Sequence, residues 1–131
     1  MGAAFHHVEL WTRDCTMVEG GWNWLMTSIG WQHDDAWNGG RSWSHRDGCY
    51  LVVEQSPDVR DETHDRRRPG LNHLALHAGT AGLEDLRGGA RDQGWNELFA
   101  DSYPHAGGPQ HVALFLENQE GFEVEIVAPT P

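Results

Sequence analysis

Gly70-Leu71-Asn72-His73-Leu74-Ala75-Leu76-His77 is the stretch whose reading decides the fold. Leu74 and Leu76 alternate with His73, Ala75 and His77. This period of two predicts a strand with aliphatic groups on one face and imidazoles on the other. The same phrase stands earlier as Phe5-His6-His7-Val8-Glu9-Leu10-Trp11, where His7, Val8 and Leu10 take the places of His73, Leu74 and Leu76. With Val8 and Leu10 turned to the core, His7, Glu9 and Trp11 share the opposite face, and His6 falls on the helix-covered side or at the frayed start.

The segments after the two phrases repeat as well. Asp14 is placed to cap a helix that runs through Met17, Trp22, Leu25, Met26 and Ile29 and stops at Gly30. Short strands are predicted at 31–35, 41–45 and 49–54, with Asn38-Gly39-Gly40 and Arg46-Asp47-Gly48 as turns. In the second half Thr80 is the expected cap of a helix through Leu83, Leu86 and Ala90 that ends at Gly94. Strands come next at 95–99, 110–116 and 122–127, and 101–109 is a loop. Each half reads strand, helix, strand, strand, strand, which gives an α+β chain of two tandem βαβββ modules, 1–56 and 70–131. The stretch 57–69, with Pro57 and Arg66-Arg67-Arg68, reads as a solvated linker.

Composition narrows the function. In 131 residues, 9 Lys+Arg against 20 Asp+Glu give a formal net charge of −11, which argues against tracking nucleic-acid phosphates or an anionic membrane surface. The two cysteines form neither a disulfide framework nor a CxxC motif, so a reducing, cytoplasmic setting is expected, and neither a signal peptide nor a membrane span is read. Seven Trp and nine His are unusual, and tryptophans around a cavity would suit a flat or apolar small-molecule ligand.

The duplication also points to chemistry. His7 lies 47 residues before Glu54 and His73 lies 52 before Glu125, so two imidazoles and two carboxylates are expected at equivalent points of the two modules. His7, Glu54, His73 and Glu125 are a donor set for a divalent metal ion such as Zn, Ni, Co, Fe or Mn; without a thiolate, a closed structural zinc site is not indicated. Four protein ligands on a six-coordinate ion would leave two adjacent positions for neighbouring substrate oxygens. Trp11, His77, Tyr103, His111 and Phe115 are the expected lining of the substrate pocket, and Glu123, nearer a turn, is expected to be solvated.

At these residues the chain resembles the vicinal oxygen chelate superfamily of glyoxalases, bleomycin-resistance proteins and extradiol dioxygenases. The resemblance is carried by His7-Val8-Glu9-Leu10 with Asp14, Ile29-Gly30-Trp31, Val52-Val53-Glu54, Leu71 to Leu76, and Gly121 to Ile126. It implies that the modules curl into a mostly antiparallel, eight-stranded half-barrel sheet around a metal, with helices outside, commonly in a homodimer. It further implies that His7, Glu54, His73 and Glu125 match the ligand positions of glyoxalase I and that Glu54 or Glu125 acts as the catalytic base. Asn118-Gln119-Glu120-Gly121 replaces the frequent Asp-Pro-Asp-Gly turn, and there is no basic cluster for glutathione. The expected function is therefore a metal-dependent lyase or isomerase of the glyoxalase type. The alternatives are a metal-free sequestering protein of the bleomycin-resistance type and an Fe(II) extradiol dioxygenase using His7, His73 and Glu125.

Overall fold

A computed structural model describes residues 2–129. The chain divides into two compact units, Met1–Thr63 and His64–Pro131. In the first, β1 (His7–Trp11), α1 (Cys15–Ser28), β2 (Gln32–Trp37), β3 (Gly40–Ser44) and β4 (Tyr50–Glu54) occur in order. The sheet runs β1-β4-β3-β2, with β1 parallel to β4 and the other neighbours antiparallel. The parallel pair is the consequence of the helix: a connection through α1 returns the chain to the same end of the sheet, whereas the tight turns after β2 and β3 reverse it.

Helix α1 forms where the sequence places it. The Asp14 carboxylate accepts from the Met17 backbone N–H at 3.2 Å, satisfying one donor of the first turn. Cys15, Val18, Trp22, Leu25 and Met26 make one buried stripe. It packs toward β3 and β4, whose Trp43, Leu51 and Val53 are also buried. The Trp43 indole N–H donates to Asn23 Oδ1 at 2.9 Å, so this buried ring leaves no donor unmet.

The second unit repeats the plan with β5 (His73–His77), α2 (Leu83–Gly89), β6 (Trp95–Leu98), β7 (Ala113–Asn118) and β8 (Glu123–Val127), in the order β5-β8-β7-β6. Here α2 is short. It starts after Gly82 without a side-chain cap, so Thr80 does not cap it; Glu84 and Asp85 in the first turn give the favourable charge instead. Leu83, Leu86, Trp95, Leu114, Leu116, Val124 and Ile126 are buried.

Further expectations change. Among the described residues the strands form two separate four-stranded sheets, not one eight-stranded sheet. Strand β6 stops at Leu98 because Phe99 turns into the left-handed region, φ 58 and ψ 35. The stretch 57–69 is not wholly a solvated linker. His64 donates its backbone N–H to the Glu120 carbonyl at 3.0 Å and stacks on Phe122 at 4.5 Å, and Arg66 pairs with Glu117 at 3.0 Å. Gly121, φ +90, permits this closure, since a Cβ there would run into the His64 carbonyl. No helix among the described residues is long and apolar enough to cross a membrane.

Candidate functional site

The period of two that opens β5 puts His73, Ala75 and His77 on one face of the second sheet. Pairing in register, His73 to Glu123 and Ala75 to Glu125, places both glutamates of β8 on that face; Phe115 and Glu117 join them from β7. Glu125 is the centre. Its Oε1 lies 3.0 Å from His73 Nε2, and its Oε2 meets His111 Nε2.

The protons on this cluster are set by its neighbours. Asn72 donates its amide Nδ2 to the Arg66 carbonyl at 3.0 Å, which turns Oδ1 toward His73 Nδ1 at 2.7 Å. An amide oxygen can only accept, so His73 Nδ1 carries the proton. Nε2 then faces a carboxylate oxygen, and the contact is closed either by a second proton on the ring, which makes an imidazolium–carboxylate pair, or by a cation between the two.

The 3.0 Å between His73 Nε2 and Glu125 Oε1 is that of a hydrogen bond between imidazolium and carboxylate, and equally that of two donors at right angles about an ion roughly 2.1 Å from each. Among the described residues no three His, Cys, Asp or Glu side chains form a ready-made coordination cluster. The two donors are instead each oriented by a neighbour, His73 by Asn72 and Glu125 by His111, the outer-shell pattern that metal-binding histidines and carboxylates use. His111, expected as pocket lining, is thus a partner of the proposed donor Glu125. Asn72 was missed because nothing in its spacing marks it; only its place beside His73 does.

Glu123 is corrected outright. Being on β8, an interior strand of the sheet, it is flanked on both sides, and its side chain is 3% exposed. Its Oε1 accepts no hydrogen bond and has Arg66 Nη1 at 3.5 Å. Burial pushes its carboxyl above the ordinary range, aided by Glu117 and Glu125 and opposed by His73 and Arg66. Phe115 stands edge-on to His73, with centroids 6.0 Å apart, and so belongs to the cluster. Tyr103 does not: the Arg87 guanidinium lies 4.0 Å over its ring, and Arg87 pairs with Glu97, whose partner in β7 is Leu116 on the helix side. His77 is exposed one same-face step beyond Ala75, opposite Val127.

Gly107 controls how close His111 can come. A Cβ there would stand 2.5 Å from the His111 ring. Gly107→Ala is expected to displace the imidazole from Glu125 while leaving the thermal midpoint within about 2 °C, as for a surface substitution. Loss of the His111–Glu125 contact in NMR titration of the ring nitrogens checks it.

In the first unit, β1 and β4 place His7, Glu9 and Trp11 on the same face as Tyr50, Val52 and Glu54. His7 stacks flat on Tyr50 at 4.7 Å, and His6, rather than turning to the helix, meets His7 through their Nδ1 atoms at 2.8 Å. Trp11 donates to Glu9 at 2.6 Å and Trp37 to Glu54 at 3.0 Å. The register revises the expected equivalence. Glu54 pairs with Trp11, whereas the place matching Glu125 is held by Val52 opposite Glu9. Glu54 therefore sits one same-face step, about 7 Å, farther along its strand than Glu125 does. A cavity of about 390 Å³ in this unit lies on the other, helix-covered side, lined by Glu19, Asn23, His33, Arg41 and Trp43, with Arg41 paired to Glu19 at 2.7 Å.

No family model matches the chain. It is 36% identical over 128 residues to the uncharacterized protein YqjT of Bacillus subtilis (strain 168), spanning 95% of this chain and 98% of that one. A crystal structure from Bacillus halodurans, provisionally named a glyoxalase, shares 36% identity and superposes with a TM-score of 0.85 over 96% of both chains. A glyoxalase/bleomycin resistance protein from Albidiferax ferrireducens T118 shares the fold at 12% identity and TM-score 0.73, over 97% of this chain and 99% of that one. So does the fosfomycin resistance protein FosX of Listeria monocytogenes, a point mutant in complex with Mn(II) and 1S,2S-dihydroxypropylphosphonic acid, at 10% identity and TM-score 0.60 over 99% and 93%.

Proposed function

We propose, from the fact that this chain belongs to the vicinal oxygen chelate superfamily of glyoxalase and bleomycin-resistance proteins, that it is a divalent-metal-dependent lyase or isomerase acting on a small substrate with two neighbouring oxygens. The observation that carries the proposal is Nε2 of His73 facing Glu125 Oε1 at 3.0 Å, with His73 Nδ1 turned to the Asn72 amide oxygen. His73 and Glu125 would hold the ion. Bound there, the ion would act as a Lewis acid on the substrate oxygens and make the adjacent carbon more acidic. Asn72 holds the His73 ring with Nε2 toward Glu125, and His111 meets the Glu125 carboxylate from its other side. Glu54 is out of register with Glu125 and engaged by the Trp37 indole, and Glu125 is the candidate base in the second unit. The proposal includes a homodimer working in the cytoplasm.

A second reading has a specific observation behind it. With Glu54 set apart by register, the donor set expected from the sequence reduces to two imidazoles and one carboxylate, a composition that suits Fe(II) and dioxygen. The two are separated by supplying protein with Mn(II) or Fe(II) and measuring solvent-deuterium uptake into dihydroxyacetone and dioxygen consumption with catechol. Metal-dependent deuterium uptake that His73→Ala abolishes is the expected result. Oxygen consumption instead would install the dioxygenase. Neither activity, with aromatic ligands quenching tryptophan fluorescence irrespective of metal, would replace both by sequestration.

A further inference from the structure

The geometry points to an aryl-binding subsite in the second unit, formed by Phe99 and Phe115 beside His73, so that the substrate is a vicinal oxygen compound bearing a neutral aromatic substituent. This rests on the proposed function for the oxygen pair, and adds the substituent.

Phe99 is placed at two costs. It adopts φ 58, a region that favours glycine or asparagine, and the residue is 49% exposed to water. The turn Ala100–Ser102 beyond it, closed by the Ser102 N–H donating to the Phe99 carbonyl at 2.9 Å, would accept glycine at this position. What the left-handed backbone achieves is direction. It brings the ring edge-to-face with Phe115, centroids 5.5 Å apart at 81°, and Phe115 in turn meets His73 at 6.0 Å and 69°. Ring contacts thus run from the exposed Phe99 through the buried Phe115 to His73, which carries the proposed donor nitrogen. Phe115 is itself buried, so the ring area open to a further aromatic group is that of Phe99, which Phe115 backs.

Charge chooses the substituent. Arg66 lies 6.0 Å over the Phe99 ring, but its guanidinium is already held by Glu117 at 3.0 Å and Glu123 at 3.5 Å. It is therefore not an anchor for an anionic tail, and the three glutamates of this face would repel one. An uncharged phenyl group suits the Phe99 ring.

Mandelate and lactate carry the same 2-hydroxycarboxylate and differ in phenyl against methyl. Calorimetric titration of Mn(II)-supplemented protein is expected to give mandelate roughly tenfold or more the affinity of lactate, the scale of burying one aromatic side. Phe99→Gly and Phe99→Asn, both at ease in the left-handed region, should reduce that ratio to about threefold or less without changing lactate binding, whereas Phe99→Tyr retains it. A thermal midpoint for Phe99→Gly at or above that of the parent confirms folding. A separate arm uses 4-fluorobenzyl alcohol, which has no chelating pair, in metal-free protein: its ¹⁹F line should broaden with the parent and His73→Ala proteins and not with Phe99→Gly. Should Mn(II) prove irrelevant to mandelate while this arm holds, the metal reading falls and the subsite stands. An aryl preference unchanged in Phe99→Gly, or equal broadening there, overturns the subsite.

Discussion

Glu125→Ala is expected to lower the affinity for Mn(II) by more than about a hundredfold, beyond what loss of a neighbour that merely orients a ligand costs. The reason lies in its two contacts. Glu125 is 7% exposed, and its oxygens face His73 Nε2 at 3.0 Å on one side and His111 Nε2 on the other. Removing the carboxylate takes away one proposed donor and leaves the other, His73, facing a gap. Glu125→Gln keeps the volume and one oxygen, so it separates ligation from packing: it should fold like the parent and still bind Mn(II) weakly, because a neutral amide is a poorer donor than a carboxylate. Electron paramagnetic resonance of free Mn(II) during titration reads both variants. Parent-like binding by Glu125→Ala would remove Glu125 from the site.

The largest expected effect on stability is at Trp43. Trp43→Ala should cost about 3–5 kcal/mol, the range for deleting a buried aromatic ring. Trp43 is fully buried in β3 on the face that α1 covers, edge-on to His33 at 5.9 Å, and donates to Asn23 on the helix. The change leaves a large void and an Asn23 oxygen without its donor. Trp43→Phe keeps most of the ring and loses only the hydrogen bond and some volume, so a cost nearer about 1–2 kcal/mol is expected. Urea unfolding midpoints, read with the slope unchanged, distinguish the two. Near-equal midpoints for Trp43→Ala and the parent would mean that α1 is not fastened through this ring.

How much of the fold and site was legible in the sequence depended on the range of the interaction concerned. The two βαβββ modules were readable because their signals are local: Leu74 and Leu76 alternating with histidines, the cap at Asp14, and the helical spacing of Trp22, Leu25 and Met26. The division into two sheets was not, since hydrogen bonding between distant strands leaves no mark in either one. Glu123 was misjudged for the same reason. Its nearness to the Asn118 to Gly121 turn suggested exposure, but the neighbours that bury it, Arg66 and His73, come from residues more than 45 positions earlier. Near-equal spacing from histidine to glutamate suggested equivalent glutamates, yet spacing counts loop residues and register does not. The strand pairing puts Val52, not Glu54, at the place of Glu125. Phe99 was read as the end of a strand because an aromatic residue favours one; its left-handed backbone is imposed by the turn at Ala100–Ser102.

Whether His73 and Glu125 share an ion is tested most directly by the metal content of protein purified without an affinity tag. About one equivalent of a divalent transition metal is predicted for the parent and for His77→Ala, falling below about a tenth in His73→Ala and in Glu125→Ala, with folding intact by circular dichroism. Metal retained equally by all four proteins, or absent from the parent and not taken up from added Mn(II), Fe(II), Co(II), Ni(II) or Zn(II), would contradict it.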